Sequence, residues 1–170
     1  IEYLVNTLVY PYNLGEGKLI GNMVNDIYYM LGNLYEDKEK SEQAYRLAAM
    51  GEFNLSSAMY YNDQPPQMMY YSAKAIEALG YKDEAKKRFN AFIEYANNHM
   101  NDEMKIDYFA VSLPDFLIFE GDLNKNNKVH CNLMAALGYL GIGDNDNAQK
   151  YAKQGLELNQ CHAELRDIVK

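Results

Sequence analysis

Apolar residues recur every three or four positions along most of the chain, and short polar breaks divide this pattern into paired segments. Such spacing predicts amphipathic helices, each with one buried face. In three places an apolar segment is followed by a break and then by a second segment with a small residue near its start: Ala44, Ala85 and Ala148. A small side chain there allows two helices to approach closely. The pattern therefore predicts an all-α chain of helix–turn–helix units.

The turns between these segments have signals of their own. Gly80 and Gly143 each precede the small residue of their unit by five positions, where the first helix must end and the chain reverse. The stretch NLSSAMYYNDQPP predicts a loop, and its Pro65-Pro66 pair can begin the next helix. EYLVNTLVYP looks like the end of a second helix closed by Pro11. We therefore expect the sequence to begin within a repeat, as a fragment of a longer protein.

These units resemble the tetratricopeptide repeat, a helix–turn–helix unit of about 34 residues. The residues that match its pattern are Tyr28, Leu31, Gly32, Tyr35, Met69, Ala73, Ile76, Phe89, Phe92, Ala152 and Gly155. The resemblance implies an α-solenoid, and an ordinary helical bundle is the alternative. The implied organisation is the tail of a preceding repeat and a loop at 1–19, repeats at 20–52, 65–97 and 128–160, a helical insert at 98–127, and the start of a capping helix at 161–170.

Longer stretches, including YPYNLGEGKL, DEMKIDYFAVSLPDFLIFEGDLN and NKVHCNLMAALGYLGIGD, are similar to the C-terminal region of large bacterial tetratricopeptide-repeat proteins. In those proteins an uncharacterised domain that resembles mutarotase-type sugar-binding β-sandwiches lies upstream. The resemblance implies a missing N-terminal part and hints at carbohydrate metabolism. The family brings no established activity, so it assigns no catalytic residue to this chain.

The insert brings aromatic residues and carboxylates close together in DYFAVSLPDFLIFEGDL. Ser112 can cap a helix that runs to Gly121. We expect the insert to be structural, because Leu133 and Leu137 of the following helix would otherwise leave an apolar face exposed. The side chains expected to cover them are Phe109, Phe116, Leu117 and Phe119.

The carboxylates of this stretch could in principle supply a general acid and a general base, since glycosidases use two carboxyl groups at set distances. They include Asp107, Asp115, Glu120 and Asp122. The simpler interpretation makes Asp115 a helix cap, Asp122 a loop residue and Glu120 a solvated side chain. We therefore predict no catalytic residue in the insert.

Net charge and hydropathy exclude several classes of function. A net charge of −8 argues against nucleic-acid binding, which needs clustered Lys and Arg. The most basic stretch, 82–88, is interleaved with Asp83 and Glu84, which predicts a solvated helix face. The longest apolar run, 133–143, is too short to span a membrane, and no signal peptide is visible, so we predict a cytoplasmic protein.

Histidine and cysteine are adjacent twice, as His130-Cys131 and Cys161-His162. Neighbours on a helix point about 100° apart, and structural zinc ligands usually lie further apart in sequence, so we predict no metal site. A disulfide between the cysteines is an alternative to the expected pair of unpaired, half-buried thiols. The glycines of LGYLGIGD fall in a predicted helix-to-helix turn and form no dinucleotide-binding loop. Other nucleotide-binding and hydrolase motifs do not occur, and we predict no cofactor.

In a tetratricopeptide array the first helices line a concave face that binds extended peptides or protein surfaces. For this chain the implied partner-binding groove is lined by Asp26, Tyr29, Asn33, Gln67, Tyr70, Lys74, Glu77 and His130. Tyrosine offers a flat apolar face and a hydroxyl, which suits a peptide and also, less directly, a carbohydrate. We predict a non-catalytic protein-binding or scaffolding module that holds a partner or its own upstream domain. The alternatives are an accessory part of a carbohydrate-active enzyme with catalytic residues upstream, and a purely structural C-terminal cap.

Overall fold

A computed structural model describes residues 1–15, 23–56, 64–104 and 122–170. Within these ranges all regular structure is helical, and no residue lies in a β-strand. This confirms the predicted all-α class and is compatible with an α-solenoid. None of these helices combines the length and the apolar character that crossing a membrane requires. The helices are α1 (Glu2–Thr7), a short 3-10 helix (Tyr12–Leu14), α2 (Asn25–Leu34), α3 (Lys38–Ala48), α4 (Pro66–Ala78), α5 (Lys82–His99), α6 (Leu123–Gly141), α7 (Asn145–Leu158) and α8 (Ala163–Val169).

The chain divides into two compact units. The first unit consists of residues 1–54 and 62–85, and the second consists of residues 55–61 and 86–170. The first unit therefore contains α1 to α4 and the start of α5, and the second contains the rest of α5 with α6, α7 and α8.

In the first unit, α2 and α3 pack side by side through a contact that depends on a glycine. The Tyr45 ring occupies the space beside Gly32, where an added Cβ would lie 2.5 Å from the ring carbon Cε1. The Ser41 hydroxyl donates a hydrogen bond of 2.7 Å to the Gly32 carbonyl and joins the helices at the same level. Ala44, the small residue of this helix pair, is 4% exposed. The two helices thus approach closely at small residues, Gly32 on α2 and Ala44 on α3, and the Tyr45 ring fills the space beside Gly32.

Side chains from α2 and α4 bond to carbonyl groups at the C-terminal end of α3. The Asn25 amide donates to the carbonyls of Ala48 and Met50, both at 2.8 Å. The Ser72 hydroxyl donates to the Ala49 carbonyl at 3.0 Å. Because the last carbonyls of a helix have no partner within it, these three bonds fasten the end of α3 to the neighbouring helices.

The predicted helix start at Pro65-Pro66 and the predicted turns at Gly80 and Gly143 are confirmed. Pro66 is the first residue of α4, and Pro65 precedes it as the N-cap residue in an extended conformation. Gly80 follows α4 with a φ of 96°, and Gly143 follows α6 with a φ of 83°. Both values lie in the left-handed region, which glycine enters without the steric cost that a Cβ brings.

In the second unit, two glycines allow α6 to lie directly against α5. A Cβ added to Gly138 would lie 2.7 Å from the carbonyl oxygen of Phe89, and one added to Gly141 would lie 2.1 Å from its ring carbon Cδ1. Both glycines belong to α6, which ends at Gly141. The prediction that all three glycines of LGYLGIGD lie in the turn is therefore wrong. Only Gly143 has the left-handed backbone of a turn, and the other two provide room for Phe89.

The start of α6 depends on Asp122, a side chain predicted to lie in a loop. Asp122 is the N-cap residue, and its carboxylate accepts a hydrogen bond of 3.0 Å from the Lys125 N–H. An aspartate at this position satisfies a backbone N–H that has no partner within the helix and also interacts favourably with the helix dipole. The helix therefore begins at Leu123, ahead of the repeat start predicted at 128.

The middle of α6 is buried on all sides, from Cys131 to Gly138. Leu133 and Leu137 are each 4% exposed, and Asn132 is equally buried. Burial on both faces is what the apolar pattern of this helix predicts. The insert side chains expected to cover the leucines lie outside the described residues: Phe109, Phe116, Leu117 and Phe119.

The second unit ends in a helix that packs on α7. Leu165 of α8 is fully buried. Its side chain occupies the space beside Gly155 of α7, where an added Cβ would lie 2.5 Å from Cδ1 of the leucine. A glycine with no side chain thus makes room for α8, as Gly32 makes room for Tyr45 in the first unit.

Candidate functional site

Four tyrosines from three helices of the first unit meet in one group, which we call the tyrosine cluster: Tyr29 of α2, Tyr45 of α3, and Tyr70 and Tyr71 of α4. The ring centroids are 5.9 Å apart for Tyr29 and Tyr45, 5.6 Å for Tyr29 and Tyr71, and 5.5 Å for Tyr70 and Tyr71. These separations are typical of favourable aromatic pairs. All four residues are half-buried, so the cluster is anchored in the unit and still presents surface to solvent.

The position of the cluster follows from the packing of α2 against α3. Tyr45 reaches α2 because Gly32 has no side chain to exclude it. The Tyr45 hydroxyl donates to Asn33 Oδ1 at 2.8 Å, and Asn33 Nδ2 donates to the Tyr29 carbonyl at 3.1 Å. The exposed Asn33 amide is thus held in place by two members of the cluster.

Two hydroxyls of the cluster stay protonated at neutral pH. Burial raises the pKa of Tyr70, and the neighbouring Tyr29, Tyr71 and Glu77 raise it further. Burial also raises the pKa of Tyr45, and Tyr29 adds to this shift. A protonated phenol both donates and accepts hydrogen bonds, whereas a nucleophile or general base would need the opposite shift. These hydroxyls are therefore suited to recognition.

Seven of the eight residues predicted to line a groove belong to the first unit. They are Asp26, Tyr29 and Asn33 on α2, and Gln67, Tyr70, Lys74 and Glu77 on α4. Spacings of three or four residues place each set on one face of its helix. Tyr29 and Tyr70 both contact Tyr71, so the two sets meet at the tyrosine cluster.

A pair of opposite charges borders the cluster on α4. Lys74 Nζ lies 2.5 Å from Glu77 Oε2, and the two side chains are 26% and 38% exposed. Solvent screens a pair of this kind, so it contributes little to the free energy of unfolding. On α2 the Asp26 carboxylate accepts a hydrogen bond of 2.8 Å from the Ile27 N–H.

His130, the eighth predicted residue, lies on α6 in the second unit. Its Nε2 is 2.9 Å from the Ser56 carbonyl oxygen, an arrangement that requires a proton on Nε2, and the Tyr95 ring meets it edge-on. Burial lowers the pKa of His130, and the nearby His162 lowers it further, against the opposing effect of the Ser56 bond. The neutral imidazole therefore joins α6 to the segment at 55–56.

The two cysteines are free thiols in different surroundings. Cys131 is fully buried in α6, and burial raises the pKa of its thiol to about 11. Cys161 is exposed. The thiols are unpaired, as expected, but neither is half-buried, and Cys131 is fully covered because α6 is buried on all sides there. The alternative of a disulfide is wrong.

Among the described residues no group of three or more His, Cys, Asp or Glu side chains is placed to hold a metal ion. Of the carboxylates considered as a general acid and base, Asp122 is the N-cap of α6. The others, Asp107, Asp115 and Glu120, lie outside the described residues.

Two members of the tyrosine cluster were not predicted. Tyr45 belongs to α3, the second helix of its pair, whereas the predicted groove was drawn from first helices. Its ring reaches α2 through the space beside Gly32 and the hydrogen bond to Asn33. Tyr71 follows Tyr70 directly, so its helical position differs by about 100°. The adjacent pair Tyr70-Tyr71 was the available signal, because Tyr71 contacts Tyr29 and Tyr70 contacts Tyr71.

No family model matches the sequence, and no solved structure matches the chain. The likeness to tetratricopeptide repeats therefore rests on the residues of this chain alone.

Proposed function

We propose that this chain is a non-catalytic protein-binding module of the tetratricopeptide type, in which the surface around the tyrosine cluster receives an extended peptide of a partner. The observation that carries the proposal is the cluster itself, four half-buried rings contributed by three helices. Tyrosine is enriched among the residues that dominate binding energy at protein interfaces, because it buries a large rigid surface and keeps a hydroxyl for hydrogen bonding.

The proposed repeat type is supported by features that two helix pairs share. The second helix of each pair carries a buried small residue, Ala44 in α3 and Ala148 in α7. In each pair a tyrosine of the second helix meets the first helix. Tyr45 lies beside Gly32, and Tyr151 stacks on Tyr139 with centroids 5.4 Å apart. The two tyrosine contacts differ in kind and in register, and the shared feature is the buried small residue, which a repeated helix–turn–helix unit requires where its helices approach closely.

At the edge of the cluster, Asn33 has hydrogen-bonding groups to offer a peptide backbone. Asn33 uses one lone pair of Oδ1 for the Tyr45 hydroxyl and one hydrogen of Nδ2 for the Tyr29 carbonyl. A primary amide has a second lone pair and a second hydrogen, and these can pair with the N–H and the C=O of one residue in an extended peptide. The Lys74–Glu77 pair on the adjacent helix supplies both signs of charge for the flanking side chains.

Selection from a library of random extended peptides tests the proposal. Peptides that bind the chain should shift the backbone NMR signals of α2 and α4 around the tyrosine cluster. The double substitution Lys74→Glu with Glu77→Lys reverses the order of charges along α4 and keeps the pair. It should lower the affinity for the selected peptides about threefold or more. The matched control, Lys86→Glu on the exposed face of α5, should leave the affinity unchanged.

Two results would contradict the proposal. One is a library from which no peptide binds at the cluster, or from which peptides bind only elsewhere. The other is hydrolysis of glycosides by the purified chain, which would favour the carbohydrate-active alternative over a non-catalytic module.

A further inference from the structure

A cleft of about 480 Å³ lies in the second unit, between the C-terminal ends of α5 and α7 and over the N-terminal half of α6. We call it the amide cleft. Its rim consists of polar side chains that are all exposed: Asn97, Asn101, Lys128, Gln154 and Glu157. The rim therefore carries three primary amides, one cation and one anion.

The inner wall of the amide cleft contains an amide whose oxygen has no partner. Asn132 is 4% exposed, and its Nδ2 donates a hydrogen bond of 2.8 Å to the Lys128 carbonyl. Its Oδ1 accepts no hydrogen bond from any part of the chain that the structure describes. Rotating the amide by 180° would place Oδ1 against the Lys128 carbonyl, so the orientation is fixed by that bond. Buried acceptors are normally satisfied. This oxygen has almost no accessible surface, so a ligand donor reaches it only if the wall of the cleft moves.

We propose that the amide cleft binds a small uncharged ligand rich in hydroxyl groups, of the size of a monosaccharide or a disaccharide. A hydroxyl both donates and accepts hydrogen bonds, and so does a primary amide. Each amide of the rim can therefore act as the donor or as the acceptor toward a ligand hydroxyl. Lys128 and Glu157 cancel in charge, so the rim does not select an ion. The volume lies within the range of small-ligand sites.

Each wall of the cleft has a separate part in this recognition. Asn97 on α5 and Gln154 on α7 bond to ligand hydroxyls from opposite sides of the cleft. Met100 and Leu158 offer apolar surface to the C–H groups of a sugar ring. The Tyr151 ring is stacked on Tyr139 with an interplanar angle of 11°, so one of its faces is occupied. The amide side chains supply the hydrogen bonds that hold the ligand, and we expect a Kd of about 1 mM for a single sugar ring.

Glucose, N-acetylglucosamine and maltose are the probes for an NMR titration of the whole chain. The side-chain NH₂ signals of Asn97, Asn132 and Gln154 should shift and saturate with at least one of these sugars. Gln154→Ala should lower the affinity for that sugar by about three- to tenfold, which is the effect of losing one neutral hydrogen bond. The control variant is Gln149→Ala, an exposed amide on the same helix that does not line the cleft. It should bind like the unaltered chain.

The proposal is overturned if none of the three sugars shifts the signals of the amide cleft at concentrations well above the expected Kd. Equal affinities of the Gln154→Ala variant and the unaltered chain would also overturn it, because the sugar would then bind elsewhere. An uncharged acetylated tetra-alanine amide serves as a further probe. Saturable binding of that peptide in the cleft, without binding of any sugar, would assign the cleft to a peptide chain instead.

Discussion

The ring of Tyr45 occupies the space that a side chain at Gly32 would need, with its Cε1 atom 2.5 Å from the position of an added Cβ. This contact joins α3 to α2 and also turns Tyr45 toward Tyr29, so one residue without a side chain serves both the packing of the first unit and the assembly of the tyrosine cluster. A glycine inside a helix lowers its stability by roughly 0.5–1 kcal/mol relative to alanine. The helix tolerates this cost because the ring packs there.

Gly32→Ala should lower the free energy of unfolding by about 1 kcal/mol, since the displaced Tyr45 ring loses its contacts and this outweighs the gain in helix propensity. The same substitution in a Tyr45→Ala background should raise the free energy of unfolding by about 0.5–1 kcal/mol, because no ring then opposes the added methyl group. Denaturant melts of the four proteins in this cycle measure the coupling. Equal effects in both backgrounds would show that the ring does not depend on the glycine.

Gly138→Ala should lower the free energy of unfolding by about 2–3 kcal/mol, which is more than the loss expected for Gly32→Ala. The added Cβ would lie 2.7 Å from the backbone carbonyl of Phe89, and Phe89 and Phe92 are 1% and 0% exposed, so neither α5 nor its side chains can move aside. Tyr45, by contrast, is half-buried and can swing toward solvent. Thermal melts of the two variants give the order, and a smaller loss for Gly138→Ala would contradict the close contact of α6 with α5.

Asn25→Ala should lower the free energy of unfolding by about 2–3 kcal/mol. The substitution removes both hydrogen bonds to the carbonyls of Ala48 and Met50, in a side chain that is 6% exposed. Asn25→Asp should be at least as damaging above the carboxyl pKa, because a carboxylate would face two carbonyl oxygens and offer no donor. The matched control is Asn33→Ala on the exposed face of α2, and it should change stability by less than about 1 kcal/mol. Similar losses for Asn25→Ala and Asn33→Ala would refute the assigned bonding.

Acidification should destabilise the second unit through His130. Burial lowers the pKa of His130 below its ordinary value of 6.5, so the unfolded chain takes up a proton at a pH where the folded chain does not. The free energy of unfolding therefore falls as the pH drops below about 6.5, and the loss continues down to the folded pKa. Relative to His130→Gln, whose side chain has no such proton, the unaltered chain should lose stability between pH 7 and pH 5. A difference that stays constant with pH would mean that the pKa of His130 is not lowered.

The helices and their turns could be predicted from local sequence because they obey local rules. The spacing of apolar residues is enough to predict where the helices lie. The left-handed backbone at Gly80 and Gly143 favours glycine whatever residues lie nearby. Pro65 and Pro66 begin α4 for a reason equally confined to their own backbone. The small residues Ala44 and Ala148 followed from the repeated pattern, since a helix pair must have a close approach somewhere.

The tertiary structure decided which side chains meet. Gly138 and Gly141 look like turn residues in the sequence, and only Phe89, far away along the chain, shows that they are contact residues inside α6. The tyrosine cluster needs rings from three helices, and the amide cleft needs amides from three others, so no single stretch contains either site. Periodicity determines which residues share a face of one helix. The partner of that face is set by packing between segments far apart in sequence, where shape and the absence of a side chain matter as much as its presence.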